Sequence, residues 1–190
     1  MRSILLIATF SAILMSSASA QSSWTEYVYS DKAFAASFPV EPAISTMPYK
    51  APDGTPGIET LYSARQDSSL YRIEVVDFSQ AEIDPTTAID QVVSALREKG
   101  DVKLNIPARQ NGTCGRYLTI KGNDGSTSIV SVFFRDKRLY EIQGTVLASS
   151  ADPGSGDMIL FTQSFGFSVT LPYRGACFEK GPEFFQNRPQ

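Results

Sequence analysis

The sequence predicts an α+β domain, an antiparallel β-sheet flanked by helices, carried behind an N-terminal export signal. Three observations predict it. In the segment from Leu70 to Phe78, Tyr71, Ile73 and Val75 alternate with Arg72 and Glu74, the period of a half-buried strand. Several such segments are separated by short turn sequences, most clearly Asn123-Asp124-Gly125, which favours a hairpin. Between them lies one well-marked amphipathic helix, from Pro85 to Lys99.

The first twenty residues have a different character. Arg2 gives a positive start, Ile4 to Met15 form a short apolar run, and Ala18-Ser19-Ala20 places small residues where a signal peptidase cuts. The run is too short to span a bilayer core of roughly 30 Å, and no second stretch of about 18 apolar residues follows. The expected mature chain begins at Gln21, is soluble, and works in the periplasm or outside the cell. With Gln rather than Cys at that position, a lipoprotein anchor is not expected there.

The mature part reads as one domain over 21–170 and an irregular tail over 171–190. A short aromatic segment with Trp24, Tyr27 and Tyr29 precedes a strand from Ala33 to Phe38, which Pro39 and Pro42 stop because proline cannot donate to a ladder. Strands Ile44 to Lys50 and Ile58 to Arg65 flank the turn Pro52-Asp53-Gly54, and Asp67-Ser68-Ser69 reverses the chain into Leu70 to Phe78. The helix follows, with Asp84 as cap, Pro85 at its first position, the stripe Ile89, Val92, Val93 and Leu96, and Gly100 for a left-handed stop. Then come strands Val102 to Ile106, Arg116 to Lys121, Ser126 to Phe134 and Leu139 to Leu147, the last two separated by Asp136-Lys137-Arg138. A short helix over Gly156 to Ser164 and a strand from Phe165 to Thr170 complete the domain. Phe133 and Phe134 must point to opposite faces, which requires a sheet covered on both sides.

Composition limits the function. The 190 residues carry 17 Lys and Arg against 20 Asp and Glu, a net charge of −3 that becomes one unit more negative once Arg2 leaves with the signal. Without basic clusters, nucleic acid is not an expected partner, because phosphate neutralisation supplies most of that affinity. About 170 mature residues suffice for one core that buries roughly 70% of the unfolded chain's surface. The two cysteines, Cys114 and Cys177, are an even count in an exported chain, so a single disulfide is expected. The other reading makes Cys114 a small buried apolar residue and Cys177 a tail thiol.

The order of the pieces resembles a known family. Phe34 to Pro39 near the mature start, Tyr71 to Asp77 before the capped helix, Gly115-Arg116, Arg138-Leu139-Tyr140 and the closing Phe161-x-x-Ser164-Phe165 together resemble exported bacterial proteins of the PsbP-like class, whose members are uncharacterised. That class is related in fold to the extrinsic photosystem II subunit of that name and to a Ran-binding nuclear import factor. The resemblance implies an α/β/α sandwich over roughly Phe34 to Val169. It carries no functional residue across, since members of one fold do unrelated work.

The chain has no histidine. This removes Ser-His-Asp and Cys-His devices and imidazole metal ligands. Ser-x-x-Lys, Gly-x-Ser-x-Gly, phosphate-loop and dinucleotide motifs do not occur either, so no catalytic residue is assigned and no cofactor is expected. Asp77, Glu82, Asp84 and Asp90 cluster where a strand passes into the helix; a Ca²⁺ inlet or an acid/base pair is weighed there, and caps plus solvated charge are preferred. Asn111-Gly112-Thr113 matches a glycosylation sequon but reads better as a turn. Tyr117, Phe133, Phe134 and Tyr140 read as core rather than a ligand box. The expectation is an exported, non-enzymatic binding or accessory factor whose partner is an envelope protein. A periplasmic small-ligand carrier or sensor with an apolar pocket is the alternative, and a carboxylate-dependent enzyme is third, requiring two acidic side chains that converge in a cleft.

Overall fold

The structure, a computed structural model, describes residues 24–148 and 155–168. Its elements in chain order are β1 (Thr25–Tyr29), β2 (Phe34–Phe38), β3 (Ala43–Lys50), β4 (Pro56–Gln66), β5 (Ser69–Asp77), α1 (Pro85–Lys99), β6 (Gly100–Gln110), β7 (Thr113–Gly122), β8 (Thr127–Arg135), β9 (Arg138–Val146), α2 (Ser155–Ser164) and β10 (Gly166–Phe167). Seven strands form one sheet in the order β3-β4-β5-β9-β8-β7-β6, and three form a second sheet, β1-β2-β10. Every strand pairing among the described residues is antiparallel.

The turns follow from their residues. Asp136 and Lys137 both take positive φ, 50° and 59°, and Asn111 and Gly112 do the same at 46° and 82°, giving two-residue hairpins whose twist suits the flanking strands. Asn123-Asp124-Gly125 makes a longer hairpin: Gly125 donates to the Gly122 carbonyl at 3.0 Å and alone takes positive φ, 85°. Asn111 also accepts from the Phe167 amide at 3.1 Å, so the sequon residues serve as a turn and as a tie to β10.

The large sheet is covered on both faces, as Phe133 and Phe134 require. On one face Ile89, Val93 and Leu96 of α1 join Val76, Phe78, Leu118, Val130, Val132, Phe134 and Leu139 in one buried cluster. On the other, Tyr71, Ile73, Phe133, Tyr140 and Ile142 meet Phe34, Phe38, Phe161, Phe165 and Phe167. That second cover corrects the expectation of helices on both sides. It is the three-stranded sheet together with α2, so the fold is mainly β. The Trp24–Tyr29 segment, expected only as aromatic chain, contains β1, because Tyr27 and Tyr29 pack inward while Glu26 and Val28 stay exposed.

Three further expectations change. Gly100 is not a left-handed stop: its φ of 175° is extended, and it is the first residue of β6. Glycine is needed there for proximity, since a Cβ would lie 2.4 Å from the Lys121 carbonyl oxygen. β6 and β7 run on to the Asn111-Gly112 turn instead of stopping at Ile106 and starting at Arg116, because the ladder continues through Pro107, which lies on the sheet's edge strand, as far as Gln110 and Thr113. The final strand shrinks to Gly166–Phe167 within the described residues. A Cβ on Gly144 would meet the Met158 backbone at 3.0 Å, so α2 seats directly on β9.

Candidate functional site

Helix α1 covers only part of its sheet face. Asp84 caps its start by accepting from the Thr87 amide at 2.8 Å, and Ile89, Val93 and Leu96 fix its inner side on the cluster around Phe78 and Leu139. Beside that contact the sheet turns polar. Strands β4, β5 and β9 bring Glu59, Glu74 and Glu141 to this face, with Glu74 directly opposite Glu141 and Glu59 paired with Val76, two residues along from Glu74.

Between these carboxylates and the helix lies a cleft of ≈ 170 Å³. Glu74, Glu141 and Val76 line its floor, Gln91, Ala95 and Lys99 line the helix side, and Tyr49 closes the β3 end. Arg72 forms an ion pair with Glu74, its neighbour two residues away on the same face of β5. Burial, helped by the charges of Glu74 and Glu59 and opposed by Lys99 and Arg72, pushes the Glu141 carboxyl up to about 7. Burial and Glu74 also raise Glu59, against Arg72. Tyr49 is raised by burial and then by Glu59, Glu141 and Glu74. The arrangement therefore keeps a protonatable carboxyl at neutral pH beside an arginine-paired carboxylate, a combination able to accept or release a proton.

Past the end of α1 the same face opens into a groove of ≈ 440 Å³. Leu70, Ile120 and Leu147 contribute apolar walls, while Gln143 donates to Ser128 at 3.1 Å and to Thr145 at 3.0 Å, and the two hydroxyls meet at 2.8 Å. These polar groups satisfy one another.

The carboxylates singled out in the sequence do not converge on a common point. Asp77 accepts from Arg138 at 3.0 Å and from the Ser79 amide at 2.8 Å; burial works to raise its pKa, but these bonds outweigh it and hold the carboxyl below its usual value. Glu82 pairs with Lys137 at 2.6 Å, Asp84 caps the helix, and Asp90 is exposed. Phe133, Phe134 and Tyr140 are buried in the core and Tyr117 packs partly against it. Cys114 is half-buried on β7, while Cys177, residues 1–20 and the tail aromatics Phe178, Phe184 and Phe185 lie outside the described residues. Sequence reasoning missed Glu59, Glu74 and Glu141. The available signal was positional: polar residues in strands of a sheet covered on both faces must be partly buried.

The edges differ from this interior. On β3 every residue but Tyr49 is exposed, and Ile44 (56%), Met47 (45%) and, on β4, Ile58 (53%) are the most exposed large apolar groups of that hairpin. Among the described residues no helix is long and apolar enough to cross a membrane.

The chain matches no family model and no curated protein. Its structure is similar to the solution structure of cyanobacterial PsbP from Synechocystis sp. PCC 6803, at 10% sequence identity and a TM-score of 0.48, over 79% of this chain and 95% of that one.

Proposed function

We propose that this protein is an exported, non-enzymatic binding factor that acts on a protein of the cell envelope, and that the β3–β4 hairpin is its contact surface. The exposure of Ile44, Met47 and Ile58 on an edge hairpin is the observation that carries this reading. Edge strands offer unpaired amides and carbonyls, and soluble proteins usually guard them with charge, whereas β3 carries one charged residue, Lys50, at its end. Pro48 removes one donor from the strand, which limits indiscriminate pairing without removing the apolar surface.

A photo-crosslinking residue at the exposed Thr46 tests the reading in intact cells. The expected result is one discrete protein adduct that disappears when Ile44 and Ile58 are replaced by Glu in a chain that still folds. Absence of any adduct, or an adduct indifferent to those substitutions, contradicts it.

One observation favours a second reading. Glu74 and Glu141 converge in a cleft, the requirement for a carboxylate-dependent enzyme, and their environments differ as an acid/base pair demands. A substrate-turnover screen in which activity vanishes in Glu141→Gln, with the crosslink negative, would favour catalysis. The carrier reading gains less. The α1 cleft is below the roughly 300–1,000 Å³ of ligand pockets, and the larger groove is open and floored by polar groups already bonded to each other.

A further inference from the structure

The two halves of α1 are held to the sheet by different means. Its N-terminal half is capped by Asp84 and buries Ala88 and Ile89. From Gln91 to Lys99 the helix is seated by the buried Val93 and Leu96, while its side facing β5 and β9 looks across the cleft at Glu74 and Glu141. The groups around Glu141 come from every neighbouring element. β5 supplies Glu74 and Arg72, β4 supplies Glu59, β3 supplies Tyr49, and α1 supplies Lys99 and the uncharged Gln91. β8 sets the uncharged Val132 opposite Glu141.

Glu74 has Arg72, whereas no hydrogen bond or ion pair to the Glu141 carboxyl stands among the described residues. Lys99 is exposed at the cleft rim, where water weakens its attraction. The last carbonyls of α1 add negative potential at the same end. An ionised Glu141 thus faces Glu74 and Glu59, offset in part by Lys99 and Arg72, and because burial is the largest cost its charge favours more water between helix and sheet. A protonated Glu141 carries no such demand, and its O–H can donate to a neighbouring acceptor.

We propose that Glu141 is a proton-operated latch for the C-terminal half of α1: with the carboxyl protonated the helix end stays seated on the sheet across the cleft from Glu141, and with it ionised the helix end loosens. The device stands apart from the reading of the hairpin as a contact surface, and either can hold without the other. Since Glu141 is held up to about 7, the change falls across neutrality. If the loosened state frees Glu141 to an ordinary value, its population rises up to about tenfold between pH 6 and pH 8.

Amide hydrogen exchange on the full mature chain tests this, after correction for intrinsic base catalysis. Residues 92–99 should lose up to about tenfold in protection between pH 6 and pH 8 while residues 130–134 of β8 do not. In Glu141→Gln, which keeps size and polarity, protection of 92–99 should be pH-independent, and in Glu74→Gln the loss should shrink and move to lower pH, because the charge that raises the Glu141 carboxyl is gone. Asp90→Asn, on the exposed side of α1, should behave as wild type. Equal protection at the two pH values in the wild-type chain, or the same loss in Glu141→Gln, overturns the latch.

Discussion

Glu74 and Glu141 stand directly opposite each other across the β5–β9 ladder, on the face that α1 only partly covers. Like charges in that position normally cost stability. Here Arg72 holds Glu74, and burial keeps Glu141 protonated up to near neutrality. A structure that tolerates this pair becomes sensitive to proton concentration where cells live.

That sensitivity has a definite sign. The unfolded Glu141 loses its proton near 4.5 and the folded one near 7, so the native state binds more protons between those values. Global stability should therefore fall as pH rises from about 4.5 to about 7 and change little from this group above that. Allowing for water in the cleft, the loss is ~1–3 kcal/mol. Urea titrations at pH 5 and pH 8 check it, and Glu141→Gln should remove the difference.

The helix supplies a second prediction. Val93 and Leu96 are 4% and 2% exposed, so truncating either to Ala should destabilise by roughly 2–4 kcal/mol. Asp84→Ala, which removes the cap, should cost about 0.5–2 kcal/mol, and Asp90→Ala should stay within about 0.5 kcal/mol of wild type. Denaturant midpoints at constant slope measure all four.

A methyl group at residue 100 should be costly although the backbone is extended there. Gly100→Ala would press its Cβ on the Lys121 carbonyl and the Gly122 Cα, a crowding expected to cost about 1–3 kcal/mol. Gly125→Ala, at the hairpin tip with φ of 85°, should also destabilise, by backbone strain together with a tight contact on the Ala148 Cβ at 3.1 Å. Crystal structures or amide shifts of the two variants distinguish the causes: the first displaces β6 from β7, the second alters the 123–125 turn and Ala148 beside it.

Much of the fold was legible because local rules and packing agree. The Asp84 cap, the Ile89-Val93-Leu96 stripe and the two faces of Phe133 and Phe134 each have one physical solution, and the structure adopts it. The second sheet was hidden because β1 and β10 are short and owe their form to partners distant in sequence, as when Phe167 pairs with Phe34. Gly100 misled because the sequence shows a glycine after a helix but not the neighbouring strand against which it packs. The carboxylate cleft was illegible for a related reason. Glu59, Glu74 and Glu141 are separated widely along the chain, and only the strand order β4-β5-β9 makes them neighbours.

The cysteines give a further prediction. The chain leaves the described residues after Ser168, next to Asn111, which accepts from the Phe167 amide, and Cys114 lies three residues beyond Asn111. We expect Cys177 to pair with Cys114 and close a loop of about 60 residues, worth ~4 kcal/mol in the chain-entropy account. Non-reducing peptide mapping of protein taken from an oxidising compartment should yield one crosslinked peptide pair, and reduction should lower the melting temperature. Two free thiols in that material would contradict the pairing.

The most direct test of the cleft is a titration of the Glu141 side-chain carboxyl by carbon-13 NMR in the wild-type chain and in Glu74→Gln. The account predicts a midpoint near 7 in the wild type, falling in Glu74→Gln because the opposing charge is gone. A wild-type midpoint near 4.5, or one that does not respond to removal of the Glu74 charge, would contradict it.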